Sequence, residues 1–181
     1  LSAVKEASSV GLLCFSDTNE KYIKAKKGIQ HIHEVINAIF RLEPKSAKTD
    51  LNTAMALALS VLKRKNVVVL ISDFLDENYD RHLKAIARKH DLVVIHVADS
   101  HEIELLKVGI SPIEFKESGH QMFMNTSSIA FGKKIEQYYH HKQQHLKQLC
   151  QRNNASYLYI DTQKDFVPSL IQLFKTRNRK K

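Results

Sequence analysis

Four apolar runs in this chain each end on an acidic or hydroxyl pair: Ser16-Asp17, Ser72-Asp73, Asp99-Ser100 and Asp161-Thr162. Carboxylates and hydroxyls are hard oxygen donors, the ligand type that Mg²⁺ and Ca²⁺ select, and they also accept hydrogen bonds from basic groups. Gathered at one edge, the four pairs make a polar rim suited to a hard cation or a basic partner. Taken one at a time, each is also what a helix cap or a turn requires.

Other chemistry is poorly supported by the residues. The five glycines, Gly11, Gly28, Gly109, Gly119 and Gly132, form neither G-x-G-x-x-G nor G-x-x-x-x-G-K, so the backbone cradle that a nucleotide phosphate needs is missing. His141 and His145 have the i, i+4 spacing of a metal-binding pair, with His140 beside them. No Glu stands in the H-E-x-x-H place, so the three read as a solvated helix face. His31 and His33 fall on different faces of a helix and read as surface residues. No G-x-S-x-G elbow supports a hydrolytic triad built on Ser16-Asp17. No catalytic set emerges, and a non-enzymatic protein is expected.

The bulk properties bound the rest. At 181 residues and 43% hydrophobic, the chain suits one compact domain with a sizeable core. Its longest apolar runs, such as 67–71 and 92–95, fall far short of a membrane span. The chain opens on Leu1 without an initiator Met and runs at once into polar residues, so it is expected to begin inside a longer protein and to carry no signal peptide. Cys14 and Cys150 have no short spacing between them and read as buried thiols of a cytoplasmic protein. The formal charge of +9 raises the alternative of a nucleic-acid-associated α/β domain. Much of that excess is Lys175, Arg177, Arg179, Lys180 and Lys181, which read as a basic tail (175–181) after a domain spanning 1–174. No helix-turn-helix, zinc-finger or RNA-stacking signature accompanies the charge.

The elements that must position the rim follow from periodicity. Residues 1–7 read as the end of a helix. VGLLCF (Val10–Phe15) and VVVLI (67–71) are apolar enough for strands buried on both faces, and 92–97 and 157–160 are further strands. Residues 21–27 read as a short edge strand guarded by lysines. Ile29, Ile32, Ile36, Ile39 and Phe40 recur at helical spacing, and Glu43-Pro44 closes that helix. Asp50 is placed to cap a helix over 51–63, apolar almost all round and expected to be deeply buried. A further helix covers 78–90. Residues 113–115 and 121–124 flank a hairpin turn at 117–120. Ser127 or Ser128 is placed to cap a long helix with Phe131, Ile135, Tyr138, Leu146 and Leu149 inward, and Asp165 to cap the last helix, with Pro168 in its first turn. Strands alternating with helices imply an α/β fold with a mainly parallel sheet and helices on both faces, whose functional edge lies at the strand carboxyl ends.

The segments VGLLCFSD (10–17), KTDLNTAMALA (48–58), VVVLISDFLDENYDRHLKAIARKHDLVVIHVAD (67–99) and ESGHQMFMNTSS (117–128) resemble one bacterial family over essentially the whole chain. It is Domain of Unknown Function number fifty-eight, whose carboxyl-terminal half is von Willebrand factor A-like. The resemblance implies a three-layer α/β sandwich and a protein-interaction module with a metal-ion-dependent adhesion site at the strand ends. It implies Thr49 and Asp73 as metal ligands and a MoxR-type AAA+ ATPase as protein partner, which the strand-end residues Ser16, Asp17, Ser72 and Asp99 would meet as a partner-binding rim. The Asp-x-Ser-x-Ser motif that supplies most ligands in such sites is absent from these residues. It would lie upstream of Leu1, with a central first strand that is likewise missing here. Mg²⁺ is therefore expected in the complete protein and not as a tight ligand of this chain. Whether an upstream strand lies between 10–15 and 67–71, or these two pair directly, is left open by the sequence.

Overall fold

Alternating strands and helices do build an α/β fold. The computed structural model describes residues 8–100, 110–114, 121–125 and 129–178. By internal contacts these divide into two units: Leu1–Asn66 with Phe74–His90, and Val67–Asp73 with Asp91–Lys181.

In the first unit, β1 (Val10–Phe15) and β2 (Asn19–Lys26) form an antiparallel ribbon, with Leu12 opposite Ile23 and Cys14 opposite Lys21. The lysine-guarded edge strand anticipated at 21–27 is thus β2. The two strands approach closely at Gly11, where a Cβ would stand 2.9 Å from the Ile23 carbonyl oxygen. Three helices follow: α1 (Ile29–Phe40), α2 (Leu51–Val61) and α3 (Asp80–Lys89). α1 and α2 pack against β1, and α2 against α3, whose Leu83 and Ile86 are fully buried.

Three expectations about this unit need correction. β1 is half-buried rather than enclosed on both faces, because its partner is the two-stranded ribbon's other strand and not a wide sheet. α1 buries His31 and Val35, while Ile29, Ile36, Ile39 and Phe40 stay exposed. A narrow ribbon covers only a narrow stripe of a helix. His31 is accordingly not a surface residue: it is 5% exposed, and its Nε2 donates to the Val10 carbonyl at 2.9 Å while Nδ1 faces Glu34 at 3.2 Å. α2, though apolar nearly all round, buries only Leu51, Ala54 and Met55 fully. One stripe meets β1 and α3, and Leu57 and Leu59 are left half-buried.

In the second unit, β3 (Val67–Ser72), β4 (Asp91–Ala98) and β7 (Ser156–Asp161) form a parallel sheet in the order β3-β4-β7. Ser72 lies opposite His96, and Ala98 opposite Asp161, so the strand carboxyl ends are in register. β4 is central and buried along Leu92, Val93, Val94 and Ile95, as its continuous apolar run requires. The anticipated burial of β3 on both faces is corrected: Val67, Val69 and Ile71 are exposed, and Leu70 alone is buried. As the outer strand of the three, β3 has a β-neighbour on one side only. α4 (Ile129–Arg152) and α5 (Val167–Asn178) pack against β7. Leu170 and Leu173 of α5 cover Val93, Ile95 and Ile160. On α4 Gly132, Leu146, Leu149 and Cys150 are buried, while Tyr138 is exposed. The hairpin strands are β5 (Ile110–Glu114) and β6 (Gln121–Asn125), antiparallel. Its turn, the caps Ser127 and Ser128, the side chain of Phe131 and the helix anticipated over 1–7 lie outside the described residues. No described helix is long and apolar enough to cross a membrane.

Candidate functional site

The first unit brings the end of β1 to the start of α2. Asp50 N–H donates to the Ser16 carbonyl at 3.1 Å, which sets Ser16-Asp17 beside Thr49-Asp50. Ser16 is buried, and its hydroxyl has a single proton to give. The shortest contact takes it: Glu20 Oε1 at 2.6 Å, against 3.4 Å to Asp17 Oδ1. The Ser16 oxygen in turn accepts from Thr18 N–H at 3.2 Å. Ser16 is therefore internal to its turn, whereas Asp17 is half-buried and Thr49 exposed, alongside exposed Thr18 and Asn19. The Ser16 hydrogen bond, with help from the Lys45 amide and charge, holds the Glu20 carboxyl below its usual range.

Asp50 behaves as its sequence position requires. Its carboxylate accepts from Asn52 N–H at 2.8 Å, Thr53 N–H at 3.1 Å and Thr53 Oγ1 at 2.6 Å. Chiefly through the Thr53 hydroxyl, its pKa is lowered. Asp76, from the loop that follows β3, adds a second carboxylate: Oδ2 accepts from Leu51 N–H at 2.7 Å. Asn52 extends the network to the Glu77 carbonyl at 3.4 Å and to His82 Nδ1 at 2.9 Å.

The second unit gathers the ends of β3, β4 and β7. Ser72 Oγ donates to Asp73 Oδ1 at 3.3 Å, and Asp73 is exposed. Beneath it lies His96 of β4, 8% exposed, with Nδ1 3.0 Å from the Tyr157 hydroxyl and its ring edge-on to Tyr159 at 5.2 Å. Burial pushes the His96 pKa down, opposed by a hydrogen bond to the Asp73 main chain and by the Asp73 charge. Asp99 Oδ1 accepts from Gln163 Nε2 at 3.0 Å. Asp161 accepts from Ser100 Oγ at 3.2 Å and Gln163 N–H at 3.1 Å, and pairs with Lys164 at 3.3 Å. These donors, the Gln163 amide foremost, hold Asp161 below the ordinary carboxylate range.

The residues singled out in the sequence thus divide: Ser16, Asp17 and Thr49 belong to one unit, and Ser72, Asp73 and Asp99 to the other. The residues that organise them are Glu20, Asp76, His96 and Gln163, and no periodicity marks them. Each acts on a partner across a turn, a loop or a strand pair, which periodicity does not report. For Asp76 the only sequence signal was its place in the SDFLD run.

Two protein oxygens, Thr49 and Asp73, do not fit a tight Mg²⁺ site, because that ion requires six oxygens in near-octahedral array. Among the described residues no three His, Cys, Asp or Glu side chains converge as a metal-holding group. His141 and His145 are exposed on α4.

Residues 1–145 match the family model described as "Protein of unknown function DUF58". The chain belongs to that family. It is similar to the uncharacterized protein Rv1480 of Mycobacterium tuberculosis, 34% identical over 100 residues that make up 54% of this chain and 32% of the relative. Uncharacterized protein Mb1516 of Mycobacterium bovis matches with the same identity and coverage. Uncharacterized protein MAV169 of Mycobacterium avium is 35% identical over 77 residues, 42% of this chain and 46% of that protein. The chain therefore spans about a third to a half of the length of the curated relatives it matches. No solved structure matches the chain.

Proposed function

We propose that this DUF58 chain is a non-enzymatic protein-interaction module of the von Willebrand factor A-like kind. In this reading Asp17 and Thr49 in one unit, and Asp73 and Asp99 in the other, are the side chains offered to a protein partner, a MoxR-type AAA+ ATPase. The observation that carries the reading is the carboxyl edge of the parallel sheet. Three adjacent strands end there in acid and hydroxyl residues held by one another and by Gln163, Lys164 and His96. Ligands of open α/β sheets bind at that edge, and a pre-ordered array of acceptors loses little entropy on meeting a basic surface. Since two oxygens do not fit a tight Mg²⁺ site, no step of the reading depends on a metal.

The test is titration calorimetry of the purified chain with a MoxR-type ATPase of the same organism. Thr49→Ala and Asp73→Ala should each weaken binding by about tenfold, the effect of losing one interfacial polar contact. The far-ultraviolet circular dichroism of both variants should match that of the parent. Unchanged affinity in both variants, or loss of the folded state, defeats the proposal.

A further inference from the structure

Helix α2 starts with four N–H groups that no earlier turn can satisfy. These are the amides of Asp50, Leu51, Asn52 and Thr53: the Asp50 N–H reaches the Ser16 carbonyl at 3.1 Å, and the Asp50 carboxylate takes Asn52 and Thr53. The remaining one, on Leu51, belongs to a residue that is 0% exposed, so water is not an available partner. Its acceptor comes from a residue 25 positions away, Asp76, at 2.7 Å.

The loop carrying Asp76 is held in a conformation that its sequence does not favour. Phe74 lies in the left-handed region at φ 54°, where a bulky non-glycine residue is a genuine outlier, and Asn78 lies there too at φ 62°, which asparagine tolerates. Such backbone persists only where its surroundings over-determine it. Here Phe74 is 2% exposed with its ring edge-on to Tyr79 at 5.7 Å, and Asp76 Oδ1 also accepts from Glu77 N–H at 2.8 Å. One carboxylate therefore ties two segments together: the loop that leaves β3 and the first turn of α2, immediately after Thr49.

We infer that Asp76 is a positioning residue: through the Leu51 amide it fixes the Thr49-Asp50 turn in the orientation offered to the partner. The inference rests on the proposed function for its consequence, while the latch itself is measurable without any partner. Asp76→Asn keeps an oxygen acceptor at the same place and removes the charge; Asp76→Ala removes both.

Amide hydrogen exchange on the intact chain tests the latch. In Asp76→Ala the Leu51 amide should exchange about tenfold faster, as expected for loss of one net hydrogen bond, while the Leu83 and Ile86 amides of α3 keep their protection. Asp76→Asn should restore Leu51 to near the parent rate. A second measurement covers the case in which the alanine variant does not fold. In the unmodified chain the Leu51 amide proton should resonate downfield, as a charge-assisted hydrogen bond to a carboxylate requires, and it should move upfield in Asp76→Asn. A Leu51 amide indifferent to both substitutions overturns the inference.

Affinity for the MoxR-type ATPase gives the functional arm: weakened by Asp76→Ala and restored by Asp76→Asn. Equal weakening by both would make Asp76 a direct charge contact instead and overturn the positioning role. An intact latch in a parent chain that binds no ATPase would sink the proposed function, and with it the claim that the turn is held for a partner.

Discussion

The guanidinium of Arg177 donates to Asp91 Oδ2 at 2.6 Å and to Ser156 Oγ at 2.5 Å. One side chain near the end of α5 thus grips the first residues of both β4 and β7. Composition alone had placed Arg177 in a basic tail. In the fold it is 15% exposed and its charge is paired internally with Asp91, so it is not part of a solvated basic tail.

Removing that grip should be measurable. Arg177→Ala leaves a half-buried carboxylate and a hydroxyl without their donor, a loss of about 1–2 kcal/mol after discounting for the partial exposure of Asp91. The urea midpoint should fall accordingly, and Arg177→Lys should recover only part, since an ammonium cannot repeat the two-pronged geometry. An alanine variant with the parent's midpoint would show that the pair contributes nothing net.

Stability should fall on mild acidification, with His90 a main contributor. Burial, reinforced by the neighbouring Lys89 charge, pushes the His90 pKa below its ordinary value. Its Nδ1 faces Asn66 N–H at 3.4 Å, which suits an unprotonated nitrogen, and Nε2 is sealed off without a hydrogen-bond partner among the described residues. The unfolded chain therefore takes up a proton first, near pH 6.5. The stabilisation is complete above that pH and is lost as pH falls through it toward the folded-state pKa. His96, also lowered, acts with the same sign. Urea midpoints measured across this window should decline, and less steeply in His90→Gln, whose amide oxygen can still accept from Asn66. An equally steep decline in that variant would clear His90 of the effect.

What could be read in advance from the residues was local. The cap at Asp50, the Asp165 carboxylate that accepts Val167 N–H at 3.0 Å, and the buried run of β4 each have a signature within a few neighbours. Degree of burial did not. VGLLCF and VVVLIS look alike as fully buried strands, and their exposure depends on how many strands flank them. The same holds for the isoleucine stripe of α1, whose burial depends on the width of what it packs on. The Ser16–Glu20 and Leu51–Asp76 hydrogen bonds were invisible for a related reason, since side-chain partners across loops leave no period in the sequence.

The two thiols should separate cleanly in a labelling experiment. Burial pushes the Cys150 pKa up to about 12, so almost no thiolate exists at neutral pH, and the residue is fully buried on α4. Cys14 is only half-buried, though its pKa is raised too. With a maleimide under native conditions Cys14 should react first, and Cys150 only as the protein unfolds. Equal native rates at both positions would contradict this burial difference.

The sharpest check on the fold is the unequal treatment of neighbouring residues in β3. Leu70 is 9% exposed and Val69 is 43% exposed, on opposite faces of one strand. Truncating Leu70 to Ala removes buried methyl groups and should cost about 2–4 kcal/mol, whereas Val69→Thr keeps the β-branched shape at a half-open position and should cost about 0.5 kcal/mol or less. Were β3 enclosed on both faces, as its apolar run suggested, a hydroxyl at Val69 would be buried without a partner and would cost about 1–3 kcal/mol. Comparable losses in the two variants would mean that the outer face of β3 is covered after all. A tolerant Val69 beside an intolerant Leu70 would confirm the exposed face.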